Sequence, residues 1–269
     1  MNKRILTGVF GGAILLSAII FGGWPGAMLL TTVISLAMVW EYCGMIFLLP
    51  DKVEKRYALL CIAWFVAIAT FLSPNSEFEI FILNFLSLFI YFLFTAARHL
   101  DEQYQQHFRE LVYSVFGVAY LVFLPNYLPR LHEVAHGIHW TIVFFLINWS
   151  SDTGAYFIGK KYGKRKLFEE ISPKKTVAGA VGGLVCALVV TLIYKVVLFK
   201  GMSWFGAFLI PIAVATASQI GDLCESFIKR AFDRKDSGTL LPGHGGFLDR
   251  FDGVIFSLPV MYSCVRFLS

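Results

Sequence analysis

Long apolar segments recur along the whole chain, and they constrain its fold more than any other feature. A helix that crosses a bilayer needs about 20 mainly apolar residues, within a range of roughly 17–25. The pattern predicts nine membrane-spanning helices. The nine segments are Ile5–Phe21, Pro25–Leu48, Tyr57–Leu72, Phe78–Ala97, Leu111–Leu128, Ile138–Ile158, Val177–Phe199, Trp204–Gly221 and Gly253–Leu268.

The composition supports the same fold class. Hydrophobic residues make up 57% of the chain and charged residues only 15%, whereas soluble domains average about 25% charged residues. A single soluble core of this length could not bury so much apolar surface. The composition therefore excludes an ordinary soluble enzyme, a disordered chain and a nucleic-acid-binding domain. It predicts an all-α, polytopic helical membrane protein.

The positively charged residues predict the orientation of the helices. If the N-terminus is cytoplasmic, the inside segments hold all of the 23 Lys and Arg residues except Arg130, Lys195, Lys200 and Arg266. Cytoplasmic loops of membrane proteins carry such an excess of Lys and Arg. We therefore expect a cytoplasmic N-terminus, an outside C-terminus and a location in the cell (inner) membrane. The net charge of +5 then reflects topology, and no nucleic-acid partner is expected.

The most polar parts of the chain are two inside segments, 159–176 and 222–252. Both lie in the C-terminal part of the sequence. We therefore divide the chain into N-terminal transmembrane helices, residues 1–110, and a catalytic transmembrane region, residues 111–269. Because both polar segments are predicted to face the cytoplasm, any chemistry is expected there.

Four acidic residues lie in or against apolar segments: Glu41, Asp152, Asp222 and Glu225. A charge at the centre of a membrane helix costs about 2.5–3.5 kcal/mol on insertion scales, so each is a functional candidate. Small polar residues surround Asp152, and such a stretch can line a wet cavity but cannot face lipid. For Glu41, a helix end that reaches interfacial water is an equally good explanation, and its role stays open.

The segment 235–252 places carboxylates next to glycines. Glycine lets the backbone approach an anion closely and turn its N–H groups outward. Asp249 and Asp252 are three residues apart, so they share one face if a helix begins there. Together with Asp222 they would form an all-oxygen site suited to Mg²⁺. The residues that precede this pair are His244, Gly245 and Gly246.

Cations stand close to these acids in the sequence. Carboxylates, glycines and cations at a membrane surface suit phosphoryl chemistry on a nucleotide. Glu225 and Lys229 also have the spacing of a helical ion pair, so a solvated helix end is the alternative for them. A second group precedes the seventh apolar segment, where a phosphate site and a positively charged membrane flank are both possible. The two groups are Lys229, Arg230, Lys235 and Arg250, and Ser172, Lys174, Lys175 and Thr176.

The chain resembles the phosphatidate cytidylyltransferases, also called CDP-diacylglycerol synthases. Residues 226–252 match the signature of that family at every defined position, from Ser226 and Lys229 to Asp249 and Asp252. Two further motifs are similar to the family: Trp149-x-x-Asp152-x-x-Ala155-Tyr156, and Ser172-Pro173-x-Lys175-Thr176. One departure is Ala178, where the family often has Glu or Gln, which puts any polar contact at that position in doubt.

The resemblance implies that CTP reacts with phosphatidate to give CDP-diacylglycerol and pyrophosphate. Phosphatidate would be a membrane lipid substrate, and Mg²⁺ would be the cofactor. We expect a polar cavity among the sixth, eighth and ninth helices, open to the cytoplasm and laterally to the inner leaflet. A homodimer is a further expectation. The expected catalytic residues are Asp152, Lys175, Glu225, Lys229, Arg230, His244, Arg250 and Asp252. The expected substrate-binding residues are Ser172, Lys174, Thr176, Ser226, Lys235, Gly245 and Gly246. The expected metal ligands are Asp222 and Asp249.

Two other functions are compatible with the sequence. A CTP-dependent membrane enzyme could act on another lipid acceptor, such as a polyprenol or an ether lipid. A cation-coupled transporter would also need intramembrane acids, but it places them near the midplane on broken helices. Because the richest motif here lies beyond the end of an apolar segment, the transporter is disfavoured.

Overall fold

A computed structural model describes residues 3–47, 52–73, 76–98, 104–240 and 245–268. Side chains are described from residue 17 onward within these ranges, apart from residues 19, 20 and 98. His244 lies outside the described residues. The helices are α1 Lys3–Ile46, α2 Val53–Leu72, α3 Glu77–Arg98, α4 Tyr104–Val118, a π-helix Ala119–Phe123, α5 Tyr127–Glu133, α6 Gly137–Tyr162, α7 Val177–Val197, α8 Trp204–Ala231 and α9 Leu248–Leu268.

Seven helical stretches in the described part of the chain are long and apolar enough to cross a membrane. The prediction of an all-α, polytopic membrane protein is therefore confirmed. The count of nine spans and the orientation of the termini stay predictions, as does the domain boundary at residue 110, which falls within α4. The seven stretches are Phe21–Ile46, Val53–Leu72, Glu77–Ala97, Tyr104–Glu133, Val177–Val197, Trp204–Ala231 and Leu248–Leu268.

The other two predicted spans correspond to the first part of α1 and to α6. A break at Gly23, with φ 58° and ψ −150°, divides α1 into two helical pieces. Only glycine adopts such a backbone conformation readily. Pro25 follows, and because it has no N–H group it cannot donate a helix hydrogen bond to the preceding turn. Helix α6 has 26 residues and is long enough to cross the bilayer at 1.5 Å per residue. Polar residues within it reduce its apolar character.

Two buried apolar clusters meet at α9. The first contains residues from α1 to the π-helix together with Leu248 and Ile255 of α9. The second joins α5 to α9 and includes Leu258 and Met261. Because α9 contributes to both clusters, its position depends on packing against α1, α5, α6 and α8. The acidic residues at its N-terminal end are positioned by that packing.

Glycines allow α8 and α9 to approach each other closely. A Cβ atom at Gly253 would lie 2.5 Å from the Ser218 hydroxyl oxygen, and one at Gly221 would lie 2.8 Å from the Asp252 carbonyl oxygen. Small residues have this role in membrane proteins, where close van der Waals packing drives helix association. The close contact brings the polar residues of the two helices to one level.

We expect Gly221→Ala to destabilise the protein by about 1–3 kcal/mol, because the added methyl group forces α8 and α9 apart. Its melting temperature in detergent should fall by several degrees. Gly44→Ala is the matched control, since no atom lies within 4 Å of a Cβ there and alanine favours a helix by about 0.5–1 kcal/mol. Equal melting temperatures for the two variants would contradict this packing.

A two-stranded antiparallel hairpin, β1 Lys166–Phe168 and β2 Ser172–Thr176, precedes α7. The sequence analysis did not predict these strands. Thr176 ends β2 and caps α7, because its side-chain oxygen accepts the Gly179 N–H at 3.1 Å. A capping threonine satisfies a helix N–H that lacks an intrahelical partner. The hairpin therefore leads directly into a transmembrane helix and fixes the position of Lys175.

Candidate active site

A polar cavity of about 360 Å³ lies where α6, α8 and α9 meet. This is the place at which the sequence predicted a cavity. Asp236, from the segment between α8 and α9, completes its wall. The lining residues are Asn148, Asp152, Ser218, Asp222, Lys229, Asp236, Asp249, Arg250, Asp252, Gly253 and Val254.

Three helices each contribute a carboxylate to this cavity: Asp152 from α6, Asp222 from α8 and Asp252 from α9. They lie within electrostatic range of one another. Asp252 accepts the N–H of Gly253 at 2.7 Å, and Asp222 is 39% exposed. Like charges held together in this way favour a bound cation or a cationic side chain.

Lys175 supplies one such cation from the hairpin. Its Nζ lies 2.5 Å from Asp222 Oδ2. The hairpin also contacts the end of α8, where Arg230 Nε donates to the carbonyl oxygen of Ile171 at 3.5 Å. Arg230 is exposed, so this contact is a weak surface link. Lys175 and Asp222 thus come together from segments that are far apart in the sequence.

Lys229 lies between two carboxylates, with its Nζ 2.6 Å from both Glu225 Oε2 and Asp249 Oδ1. The i,i+4 pair predicted from the sequence is therefore present. The Glu225 side chain is 0% exposed, and Glu225 is absent from the cavity wall. Glu225 acts from beneath the cavity by holding Lys229, which does line it.

Asp249 has hydrogen-bonding partners for both of its carboxylate oxygens. Oδ1 pairs with Lys229, while Oδ2 accepts the N–H groups of Ser237 and Gly246 at 3.0 and 2.9 Å. The Ser237 hydroxyl oxygen lies 2.9 Å from the same Oδ2. Backbone donors of this kind stabilise the ionised carboxylate. The glycine expected to bind substrate phosphate thus donates to Asp249 in this conformation.

The cavity brings together six of the predicted site residues, which are Asp152, Asp222, Lys229, Asp249, Arg250 and Asp252. Lys175 reaches the cavity through Asp222, and Glu225 reaches it through Lys229. The remaining predicted residues with described positions are outside the cavity wall: Ser172, Lys174, Thr176, Ser226, Arg230, Lys235, Gly245 and Gly246.

Several cavity residues were missed in the sequence. Asn148 lies four residues before Asp152, and Ser218 lies four residues before Asp222, so each shares a helix face with an acid. That spacing was the signal that could have identified them. Asp236 belonged to the family signature over residues 226–252 but was given no role. Ser237, which lies outside the cavity wall, had no local signal, because only the folded segment between α8 and α9 brings it to Asp249.

The donor chemistry of the cavity suits Mg²⁺, which prefers carboxylate oxygens and water. Among the described residues, however, no three His, Cys, Asp or Glu side chains surround a single metal position. Asp249 already uses both oxygens, one of them on Lys229. A divalent ion here would therefore have one or two of the carboxylates of Asp152, Asp222 and Asp252 as direct ligands, with water and substrate phosphates completing its coordination.

The chain is similar to known proteins along its whole length. The profile of the cytidylyltransferase family matches residues 2–268. The phosphatidate cytidylyltransferase of Bacillus subtilis is 34% identical over 280 residues, an alignment that covers 100% of this chain and 99% of that protein. The proteins of the same name from Staphylococcus saprophyticus and Staphylococcus aureus (strain COL) are 42% identical over 154 and 156 residues, which is 57% of this chain and 58% of each relative. The chain therefore belongs to the cytidylyltransferase family, and the acid-lined cavity lies within the matched region.

Proposed function

We propose that this protein transfers the cytidylyl group of CTP to phosphatidate, giving CDP-diacylglycerol and pyrophosphate for phospholipid biosynthesis. The observation that carries the proposal is the cavity into which three helices each bring a carboxylate, with Lys229 in its wall and Lys175 paired with Asp222. The full-length similarity to a protein named phosphatidate cytidylyltransferase supports the choice of substrates.

The reaction requires the positioning of two anions. A phosphate oxygen of phosphatidate forms a bond to the α-phosphorus of CTP. The bond from that phosphorus to the bridging oxygen breaks, and pyrophosphate leaves with the electron pair. Because the nucleophile is already an anion, no strong general base is needed, and catalysis depends on orientation and on neutralising charge.

The cations of the site are suited to that neutralisation. Lys229 and Arg250 line the cavity and can contact phosphate oxygens there. Lys175 is paired with Asp222 in the structure. It would leave Asp222 and contact a phosphate oxygen when the substrate binds. Glu225 and Asp249 hold the Lys229 ammonium group between them, so its position is set before the substrate binds.

We further propose Mg²⁺ as the cofactor, held by one or two of the carboxylates of Asp152, Asp222 and Asp252 together with water and substrate phosphates. When bound, it would neutralise phosphate charge and orient the triphosphate. Asp249, which the sequence analysis selected as a direct ligand, would have to release Lys229 first. Its contacts favour a role in holding Lys229.

The proposed setting is the cell (inner) membrane, with the cavity facing the cytoplasm. The Lys and Arg distribution supports this orientation, and CTP is a cytoplasmic substrate. The acyl chains of phosphatidate would stay in the bilayer while its headgroup enters the cavity laterally. A homodimer also stays a prediction, which the molar mass of the detergent-solubilised protein would test.

Purified protein with CTP, Mg²⁺ and phosphatidate tests the function. We expect equal amounts of pyrophosphate and CDP-diacylglycerol, and far less product with UTP. Parallel reactions with a polyprenol and with an ether-linked phosphatidate analogue examine the alternative acceptors. Faster turnover of either alternative would overturn the choice of phosphatidate, and absence of pyrophosphate release with all three would overturn the reaction.

A further inference from the structure

A buried carboxylate on α1, far from the cavity residues in the sequence, contacts the segment that carries Asp249. Glu41 is only 4% exposed. Its Oε2 atom accepts the Leu248 N–H at 3.0 Å and lies 3.1 Å from the Ser237 hydroxyl oxygen. A buried carboxylate is costly unless hydrogen bonds compensate it, so these contacts require an explanation.

The contact with Leu248 places a negative charge at the start of α9. Leu248 is the first residue of that helix, and the first N–H groups of a helix have no intrahelical partner. The helix dipole also favours an anion at this end. Glu41 therefore caps α9 from a different helix, and it fixes the level at which Asp249 and Asp252 enter the cavity.

The contact with Ser237 connects Glu41 to Asp249. The Ser237 hydroxyl oxygen lies within hydrogen-bonding distance of both carboxylates, but a hydroxyl group has only one proton to donate. Asp249 Oδ2 already receives N–H bonds from Ser237 and Gly246. We therefore assign the Ser237 hydroxyl proton to the bond with Glu41. This bond fixes the Ser237 side chain, while the Ser237 N–H group holds Asp249.

Two glycines make room for this carboxylate. A Cβ atom at Gly238 would lie 2.6 Å from Glu41 Oε1, and one at Gly246 would collide with Glu41 Oε2 and the Ser237 hydroxyl. The segment between α8 and α9 is therefore shaped around the Glu41 side chain. This gives the glycines of the segment a second role besides approach to a phosphate.

We propose that Glu41 is a positioning residue for the reaction: through Leu248 and Ser237 it sets the place of Asp249, and through Asp249 that of Lys229. The proposal rests on the proposed function for its kinetic consequences. The structural consequences of the proposal are independent of the proposed function, because the contacts of Glu41 can be measured in protein without substrate.

The kinetic test measures kcat and the KM for CTP on monodisperse, folded protein. We expect Glu41→Ala to lower kcat by about 10- to 100-fold, the usual effect of losing a group that orients a site residue. Glu41→Gln keeps one acceptor oxygen and should recover part of this loss. Glu54→Ala, at an exposed position near the start of α2, is the matched control and should keep the kcat of the unmodified protein.

A double-mutant cycle distinguishes positioning from general destabilisation. If Glu41 acts through Ser237, the variant with both Glu41→Ala and Ser237→Ala should lose much less kcat than the product of the two single losses. Independent, multiplicative losses would overturn the proposal, as would a Glu41→Ala kcat within twofold of the unmodified protein. If Glu41→Ala does not fold, Glu41→Gln with Ser237→Ala completes the same cycle.

Hydrogen exchange gives a measurement that does not depend on activity. In Glu41→Gln and Glu41→Ala, the amides of Ser237, Gly246 and Leu248 should exchange faster than in the unmodified protein, while amides in the middle of α8 stay unchanged. An unmodified protein without activity would refute the proposed function alone. Unchanged exchange at these three amides would refute the positioning by Glu41.

Discussion

Replacing Asp222 with asparagine is expected to lower kcat by about 100- to 1000-fold, the effect of removing one pre-positioned charged group from an active site. Asp222 pairs with Lys175 and has an exposed carboxylate in the cavity. The substitution removes the partner of the half-buried Lys175, but it also relieves the repulsion of Asp222 by the carboxylates of Asp152 and Asp252, and these two effects on stability oppose each other. The melting temperature of the variant should therefore stay close to that of the unmodified protein.

Asp233→Asn is the matched control for this experiment. Asp233 is exposed in the segment after α8 and has φ 53°, a backbone conformation that asparagine tolerates well. The Asp233→Asn variant should keep the full activity of the unmodified protein. A kcat for Asp222→Asn within a few-fold of that of Asp233→Asn would remove Asp222 from the catalytic site.

Replacing Lys229 with methionine should reduce both kcat and stability. The Lys229 side chain is 12% exposed and the Glu225 side chain 0%, so the substitution leaves a buried carboxylate without its cation. Breaking a buried pair in this way costs about 3–5 kcal/mol. Loss of the cation from the cavity should also lower kcat by about 100- to 1000-fold.

A second substitution separates these two effects. In Glu225→Gln with Lys229→Met, no unpaired charge remains at Glu225, so much of the lost stability should return while kcat stays low. Lys161→Met, at the exposed C-terminal end of α6, controls for the loss of a surface lysine. Recovery of activity together with stability in the double variant would show that Lys229 has only a structural role.

Local patterns in the sequence identified most of the elements that form the site. Glu225 and Lys229 were expected to have the spacing of a helical ion pair, and α8 continues past both of them to Ala231. Asp249 and Asp252 were placed on one face on the condition that a helix begins there, and α9 does begin at Leu248. These inferences succeeded because helix periodicity depends on neighbouring residues alone.

The hairpin β1–β2 and the role of Glu41 were not predictable in the same way. β1 has only three residues, and a strand that short is stabilised by its partner and not by its own composition. The acidity of Glu41 was visible in the sequence, but its contacts with Ser237 and Leu248 join α1 to the C-terminal region. No local pattern encodes such a contact.

The assignment to the all-α membrane proteins follows from the sequence alone, because the apolar length of each segment and the charges beside it govern its insertion into a bilayer. The motifs of the sequence also determined the family. The sequence also predicted the pair of Glu225 with Lys229, whereas the pairs of Lys175 with Asp222 and of Lys229 with Asp249 became apparent only in the folded protein. These last two pairs join separate elements, since Lys175 lies on β2 and Asp249 on α9 while their partners lie on α8. They therefore form only once the hairpin and the two helices have packed, and small residues such as Gly253 against Ser218 allow the close approach of α8 and α9.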